Sequence, residues 1–237
     1  MERLDRILSE AGAYSRRECA TLVRRGLVTV DGVLATSAAQ KVPEGVAILV
    51  RGVLVERRRP VVCAMNKPAG FVTSTAEAEA GSRTVMELLP ENLRRQGVVP
   101  VGRLDKDTEG LLLLTNDGDL LHRIISPKFH VEKSYLVRYD GVLSEASVGL
   151  VRDGLVLRDG SVCKGATIEQ LGNGVCTITI SEGMYHQVKR MFAAIGCHVT
   201  YLKRVQIGPI KLGDLENGAV RELSVEDVAT LRGSVGK

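Results

Sequence analysis

The chain opens with apolar residues at helical spacing. Leu4, Ile7, Leu8 and Ala11 stand at i, i+3, i+4 and i+7. This predicts a first helix, with Gly12 as its stop. Ser15 followed three residues later by Glu18 is a capping-box pattern and predicts a second helix. Ala20 and Val23 are expected on its inner face, and Gly26 ends it. The period then falls from 3.6 to 2. Val28-Thr29-Val30, Val33-Leu34 and Ile48-Leu49-Val50 read as short strands. Asp31-Gly32 supplies the hairpin turn, because these residues accept the positive φ such turns require.

Beyond Pro60 strands predominate. Apolar or alternating runs predict strands at residues 61–65, 71–75, 98–104, 111–114, 133–139, 166–171, 175–181, 199–202 and 205–207. Helices are expected at residues 85–89, 119–125 and 186–195, the last with the stripe Val188, Met191, Phe192, Ile195 and with Gly196 as its cap. Ser224 and Asp227 start a final one. Several strands meet through short turns, which favours an α+β fold with an antiparallel or mixed sheet over a βαβ repeat. The charged stretch Arg57-Arg58-Arg59-Pro60 is the expected boundary between a small domain, 1–59, and a larger one, 60–237.

Charge sharpens this division. Residues 1–59 hold 11 Lys+Arg against 7 Asp+Glu, and the remainder hold 21 of each, so the whole net charge of +4 falls in the first quarter. A local basic excess suits a polyanion, and Arg16, Arg17, Arg24 and Arg25 crowd the second predicted helix. The five cysteines are odd in number and lack a Cys-x-x-Cys pair, which points to a reducing compartment. There is no signal-peptide pattern and no apolar run of membrane-spanning length. The four histidines are scattered, so no metal site is expected. Gly-rich nucleotide loops are absent too.

The chemistry is therefore expected from a carboxylate, a phenol and cations. Asp105 lies in Gly102-Arg103-Leu104-Asp105-Lys106-Asp107-Thr108-Glu109-Gly110, ahead of four leucines. A carboxylate in that setting needs a basic partner. A calcium loop fails, because its twelfth position would be Asn116 where a bidentate Glu is required. Glu182-Gly183 followed by His186-Gln187-Val188-Lys189-Arg190 turns a strand into a helix and offers two cations to an anion or to Asp105. Lys133-Ser134-Tyr135 places an aromatic ring on a strand in a chain with no Trp and three Phe. That ring is either a core tyrosine or a stacking surface for a base.

Taken together, these segments resemble the RsuA-type ribosomal RNA pseudouridine synthases over nearly the whole chain. Arg3-Leu4-Asp5, Ser15-Arg16-Arg17 and residues 24–32 resemble an S4 RNA-binding domain. Val101-Gly102-Arg103-Leu104-Asp105, with Thr108, Gly110 and the leucines, resembles the family's catalytic motif. Asn66-Lys67-Pro68-Ala69-Gly70 is similar to its opening loop, Lys133-Ser134-Tyr135 to the motif bearing the active-site tyrosine, and residues 182–191 to the motif bearing the aspartate's basic partner. That partner is arginine in many relatives and Lys189 here, which keeps the charge but loses the bidentate fork.

The resemblance implies isomerisation of one uridine of ribosomal RNA to pseudouridine, with no cofactor. Asp105, Tyr135 and Lys189 would be catalytic. Arg16, Arg17, Arg24, Arg25, Lys67, Arg103, His186 and Arg190 would contact RNA. Asp105 is expected to be charged and shielded from water beside Lys189. Met184-Tyr185-His186-Gln187 is closer to the small-subunit enzyme than to large-subunit ones, so 16S rRNA is the expected substrate and 23S rRNA the alternative. A non-catalytic RNA-binding or ribosome-assembly protein is a second alternative. A cytoplasmic monomer is expected.

Overall fold

In a computed structural model, residues 1–11, 14–55, 59–75 and 81–236 are described. The chain separates into two compact units, Met1–Arg59 and Pro60–Lys237. The expected stop at Gly12 and the linker residues Arg57 and Arg58 lie outside the described residues.

In the first unit, α1 (Leu4–Glu10) and α2 (Arg16–Arg24) precede a small antiparallel sheet of β1 (Val28–Val30), β2 (Val33–Leu34), β3 (Ile48–Val50) and β4 (Val53–Leu54), in the order β2-β1-β3-β4. The capping box forms as expected: the Ser15 hydroxyl accepts from the Glu18 amide, and the Glu18 carboxylate accepts from the Ser15 amide. The buried face of α2 is Cys19, Leu22 and Val23 rather than Ala20 and Val23. Cys19 and Leu22 complete an apolar stripe that the sequence reading left short. Arg16, Arg17, Arg24 and Arg25 are exposed.

The second unit is built on a mixed sheet. Its main strands are β5 (Val62–Lys67), β6 (Glu109–Thr115), β7 (Lys133–Asp140), β8 (Thr167–Gly172), β9 (Val175–Ile180), β10 (His198–Ile207) and β11 (Val220–Glu222). They lie in the order β8-β9-β7-β10-β6-β5-β11. Neighbours along this order are antiparallel except β6 and β10, which run parallel. The four helices that bear on the argument are α3 (Gly118–Ile125), α4 (Glu145–Asp153), α5 (Gln187–Ala194) and α6 (Val225–Ser234).

The leucine run is explained by burial on both sides. Leu112 and Leu114 pack with Cys63, Met65 and the α5 residues Val188, Met191 and Phe192. Leu111 and Leu113 pack with Val62, Ala64, Leu120, Ile124 and Leu231. A strand covered on both faces reads as continuously apolar. Each buried leucine contributes about 1.5–3 kcal/mol, so this strand is a fixed mount for the polar loop before it.

Several elements differ from expectation. The run at 98–104 yields strand only at Val99–Pro100, the strand at 71–75 shortens to Phe71–Val72, and the helix at 85–89 is a 3₁₀ turn, Val85–Leu88. The two strands expected at 199–202 and 205–207 are one strand, β10. Lys203-Arg204 reads as a polar break, yet Arg204 is buried. The helix α4 has a Ser144 cap but a weak apolar stripe, with Val151 as its only fully buried residue, so periodicity did not mark it.

Candidate active site

The loop before β6 is held on every side by backbone and buried side chains. The Thr73 hydroxyl accepts from the Leu104 amide (3.2 Å) and donates to the Leu104 carbonyl (2.9 Å). The Gly70 amide donates to the Lys106 carbonyl at 2.7 Å. The Lys67 ammonium donates to the carbonyls of Pro68 (3.0 Å), Lys106 (3.3 Å) and Thr108 (2.8 Å). Lys67 is fully buried, and burial pulls its pKa down from 10.5 to about 8, against the pull of Asp107, Asp105 and Glu109. The expected RNA contact is therefore a structural clamp: its ammonium is consumed by loop carbonyls and cannot reach a phosphate.

This clamp presents Asp105 at a cleft of about 1350 Å³. Lys189 Nζ lies 3.5 Å from its Oδ2, and His186 Nε2 lies 3.5 Å from its Oδ1. The Asp105 side chain keeps 27% exposure, so the expectation of a carboxylate shielded from water gives way to one facing the cleft. Lys189 is shared. Its short contacts go to Asp107, at 2.6 and 2.8 Å, and this hydrogen bond holds the Asp107 carboxyl below its ordinary value. The expected pair is thus a triad of two carboxylates and one ammonium.

His186 reaches Asp105 because its backbone is left-handed, with φ of +49° just before α5. Gln187, buried, holds that turn: its Oε1 accepts from the Met184 amide and its Nε2 donates to Glu182, both at 3.0 Å. Tyr185 is 77% exposed and stacks on the His186 ring, with centroids 3.8 Å apart. Arg190 points elsewhere. Its guanidinium is engaged by Asp159 (2.5 Å), the Ser161 hydroxyl (2.9 Å) and the Tyr185 carbonyl (3.2 Å). These contacts brace the turn, while the side chain, 27% exposed, keeps donors that none of the three acceptors engages. Arg103 is exposed at the cleft and makes no side-chain hydrogen bond or ion pair among the described residues.

Tyr135 is buried in the core and also lines the cleft, so its core position does not remove it from the site. Two cations beside it were not anticipated. Arg204 is 3% exposed and faces Tyr135 across β7 and β10. Its Nε donates to the Leu111 carbonyl (2.7 Å) and its Nη1 to the Tyr135 hydroxyl (3.5 Å). Lys133, on the same strand face as Tyr135, donates to the Val131 carbonyl at 2.8 Å. Burial, and then Arg204, pull the Lys133 pKa from 10.5 to about 8. The register slips between Ser134, which faces Gln206, and Tyr135, which faces Arg204. Such a bulge re-aims side chains. The one signal for Arg204 in the sequence is a guanidinium inside the apolar run from Leu202 to Ile207.

The geometry thus joins a clamped carboxylate, a tyrosine face and several cations in one cleft, with no cluster of metal-ligating side chains among the described residues. Residues 61–194 match the family described as RNA pseudouridylate synthase, and residues 2–48 match the S4 domain. This chain belongs to the RNA pseudouridine synthase family, in the branch that carries an N-terminal S4 domain. It is 38% identical to the ribosomal small subunit pseudouridine synthase A of Escherichia coli, over 97% of this chain and 99% of that protein. It is 35% identical to the ribosomal large subunit pseudouridine synthase B of Bacillus subtilis, over 98% and 96%. A crystal structure of a pseudouridylate synthase covers 98% of this chain and is itself covered completely, with 34% identity and a TM-score of 0.69. The family's reaction converts uridine to pseudouridine within RNA.

Proposed function

We propose that this synthase isomerises a single uridine of 16S ribosomal RNA, with Asp105, Tyr135 and Lys189 as its catalytic residues. The observation that carries this reading is the clamped Asp105 carboxylate, with Lys189 and His186 each 3.5 Å from one of its oxygens, in the same cleft as Tyr135. Asp105 acts on the nucleotide so that the N1–C1′ bond breaks and its electron pair leaves on the uracil. The base turns, C5 bonds to C1′, the C5 proton is lost and N1 takes up a proton, so the product is an isomer of the substrate. No electrons are gained or lost overall. A base acted on this way has left its stack, and the Tyr135 ring is the replacement surface. Lys189 places a positive charge against Asp105 and, through Asp107, fixes the loop's geometry.

The small-subunit assignment rests on residues 184–187, where Tyr185 and His186 form an exposed stack at the cleft. The relative named for the large subunit supports 23S rRNA as a second reading. Chemical mapping of pseudouridines in rRNA from cells lacking this protein separates them. The expected result is one missing modification in 16S rRNA. A missing modification in 23S rRNA would establish the second reading, and intact 16S and 23S rRNA would refute both.

RNA is held on the first unit through Arg16, Arg17, Arg24 and Arg25, all exposed on or beside α2. Backbone contacts position an RNA without reading it, and each lost phosphate contact lowers the salt slope by about one. Changing all four to Gln is expected to weaken rRNA binding at low salt and flatten log Kd against log salt by about three to four. A slope equal to the parent's would place RNA binding elsewhere.

A further inference from the structure

Arg204 is the most unusual group in the second unit. It is 3% exposed, yet no carboxylate lies within ion-pair distance among the described residues, and its Nη2 is buried without an acceptor. Buried guanidinium groups are ordinarily paired, because an uncompensated charge away from water is costly. Lys133 adds a second cation close enough for the two to repel each other. Both line the cleft beside Tyr135. The Arg204 Cζ lies 6.0 Å from the Tyr135 ring centroid, at the hydroxyl end of the ring.

We propose that Arg204 is a further catalytic residue, whose Nη2 donates to a carbonyl oxygen of the uracil and stabilises the negative charge the base acquires when N1–C1′ breaks. This rests on the reading that the uridine enters the Asp105 cleft and lies against Tyr135. The electron pair of the broken bond goes to N1 and spreads onto the two carbonyl oxygens. A fixed donor aimed at developing charge in a water-poor site is worth far more than one in water. The missing acceptor is a base oxygen rather than a phosphate. Phosphates stay at an exposed rim, whereas Arg204 lines the cleft beside Tyr135, where a base against that ring would lie. Lys133 raises the positive potential at the same place. The pairing of Arg204 with Gly110 on β6 and Tyr135 on β7 fixes this donor to the strands that carry the loop and the ring.

The test is single-turnover release of tritium from C5 of the target nucleotide, beside RNA affinity, for the parent, R204Q, R204K and D105N. Targets carry uridine or 6-azauridine, whose ring nitrogen makes the base more acidic and its anion easier to form. R204Q is expected to be about 100-fold slower on uridine, with Kd changed by less than about threefold. The gap should shrink about tenfold or more on 6-azauridine, because the substrate then carries its own charge more easily. R204K, which keeps the charge, should fall between and show the same narrowing. It serves as the measurement if R204Q does not fold. An undiminished gap on 6-azauridine, or a loss in affinity alone, would overturn the proposal. If D105N is inactive while R204Q matches the parent, only the Arg204 role fails. If D105N is fully active, the reading of the cleft fails with it.

Discussion

Replacing Asp105 with Asn should abolish pseudouridine formation while leaving a folded protein that still binds RNA. Asn preserves size and shape. The loop around it is held by Thr73, Gly70 and Lys67 through main-chain groups, none of which involves the Asp105 side chain. Lys189 keeps its short contacts to Asp107, so it would not be left without a counterion. What disappears is the carboxylate that faces the cleft with Lys189 and His186 each 3.5 Å from one of its oxygens. Loss of a group that acts directly on the reacting bond lowers the rate by about 10⁴-fold or more. The single-turnover rate on an rRNA transcript, read with a melting curve and an RNA-binding isotherm, checks this. A normal rate in a well-folded Asp105→Asn protein would remove Asp105 from the chemistry.

Much of this architecture was legible because it rests on short-range patterns. The capping box at Ser15 and Glu18, the Asp31-Gly32 turn, the apolar stripe of α5 and the four leucines each state their role locally. The groups that were misread or missed depend on residues far away in sequence. Lys67 looked like a cation for phosphate, but its acceptors are carbonyls at 106 and 108, about forty positions on. Arg190 carries contacts to Asp159 and Ser161, about thirty positions back, that its own segment does not announce. The stronger partner of Lys189 is Asp107 rather than Asp105, a difference of about an ångström that no spacing rule resolves. Arg204 was hidden by its own charge, since a strand interior is the last place to expect a guanidinium without a carboxylate. Burial of a charged residue is set by the sheet order, and the parallel pairing of β6 with β10 is not written in either strand alone.

That pairing makes Gly110→Ala the substitution with the largest expected effect on stability. Gly110 sits opposite Arg204 with φ of +100°, a conformation that residues with a Cβ rarely adopt. A Cβ there would lie 2.8 Å from the Arg204 amide nitrogen, and closer still to its carbonyl oxygen. These are main-chain atoms in a buried strand and cannot turn aside as a side chain could. Backbone strain and overpacking together should lower stability by about 3 kcal/mol or more. The effect should reach activity as well. The same pair of strands carries Arg204 toward Tyr135 on one side and anchors the Asp105 loop on the other, so forcing them apart disturbs both ends of the cleft at once. Urea unfolding of Gly110→Ala, compared with the parent, should show the lower midpoint, and the rate measured well below that midpoint should remain depressed. A midpoint and rate equal to the parent's would mean that the close approach of β6 and β10 is not what holds the site together.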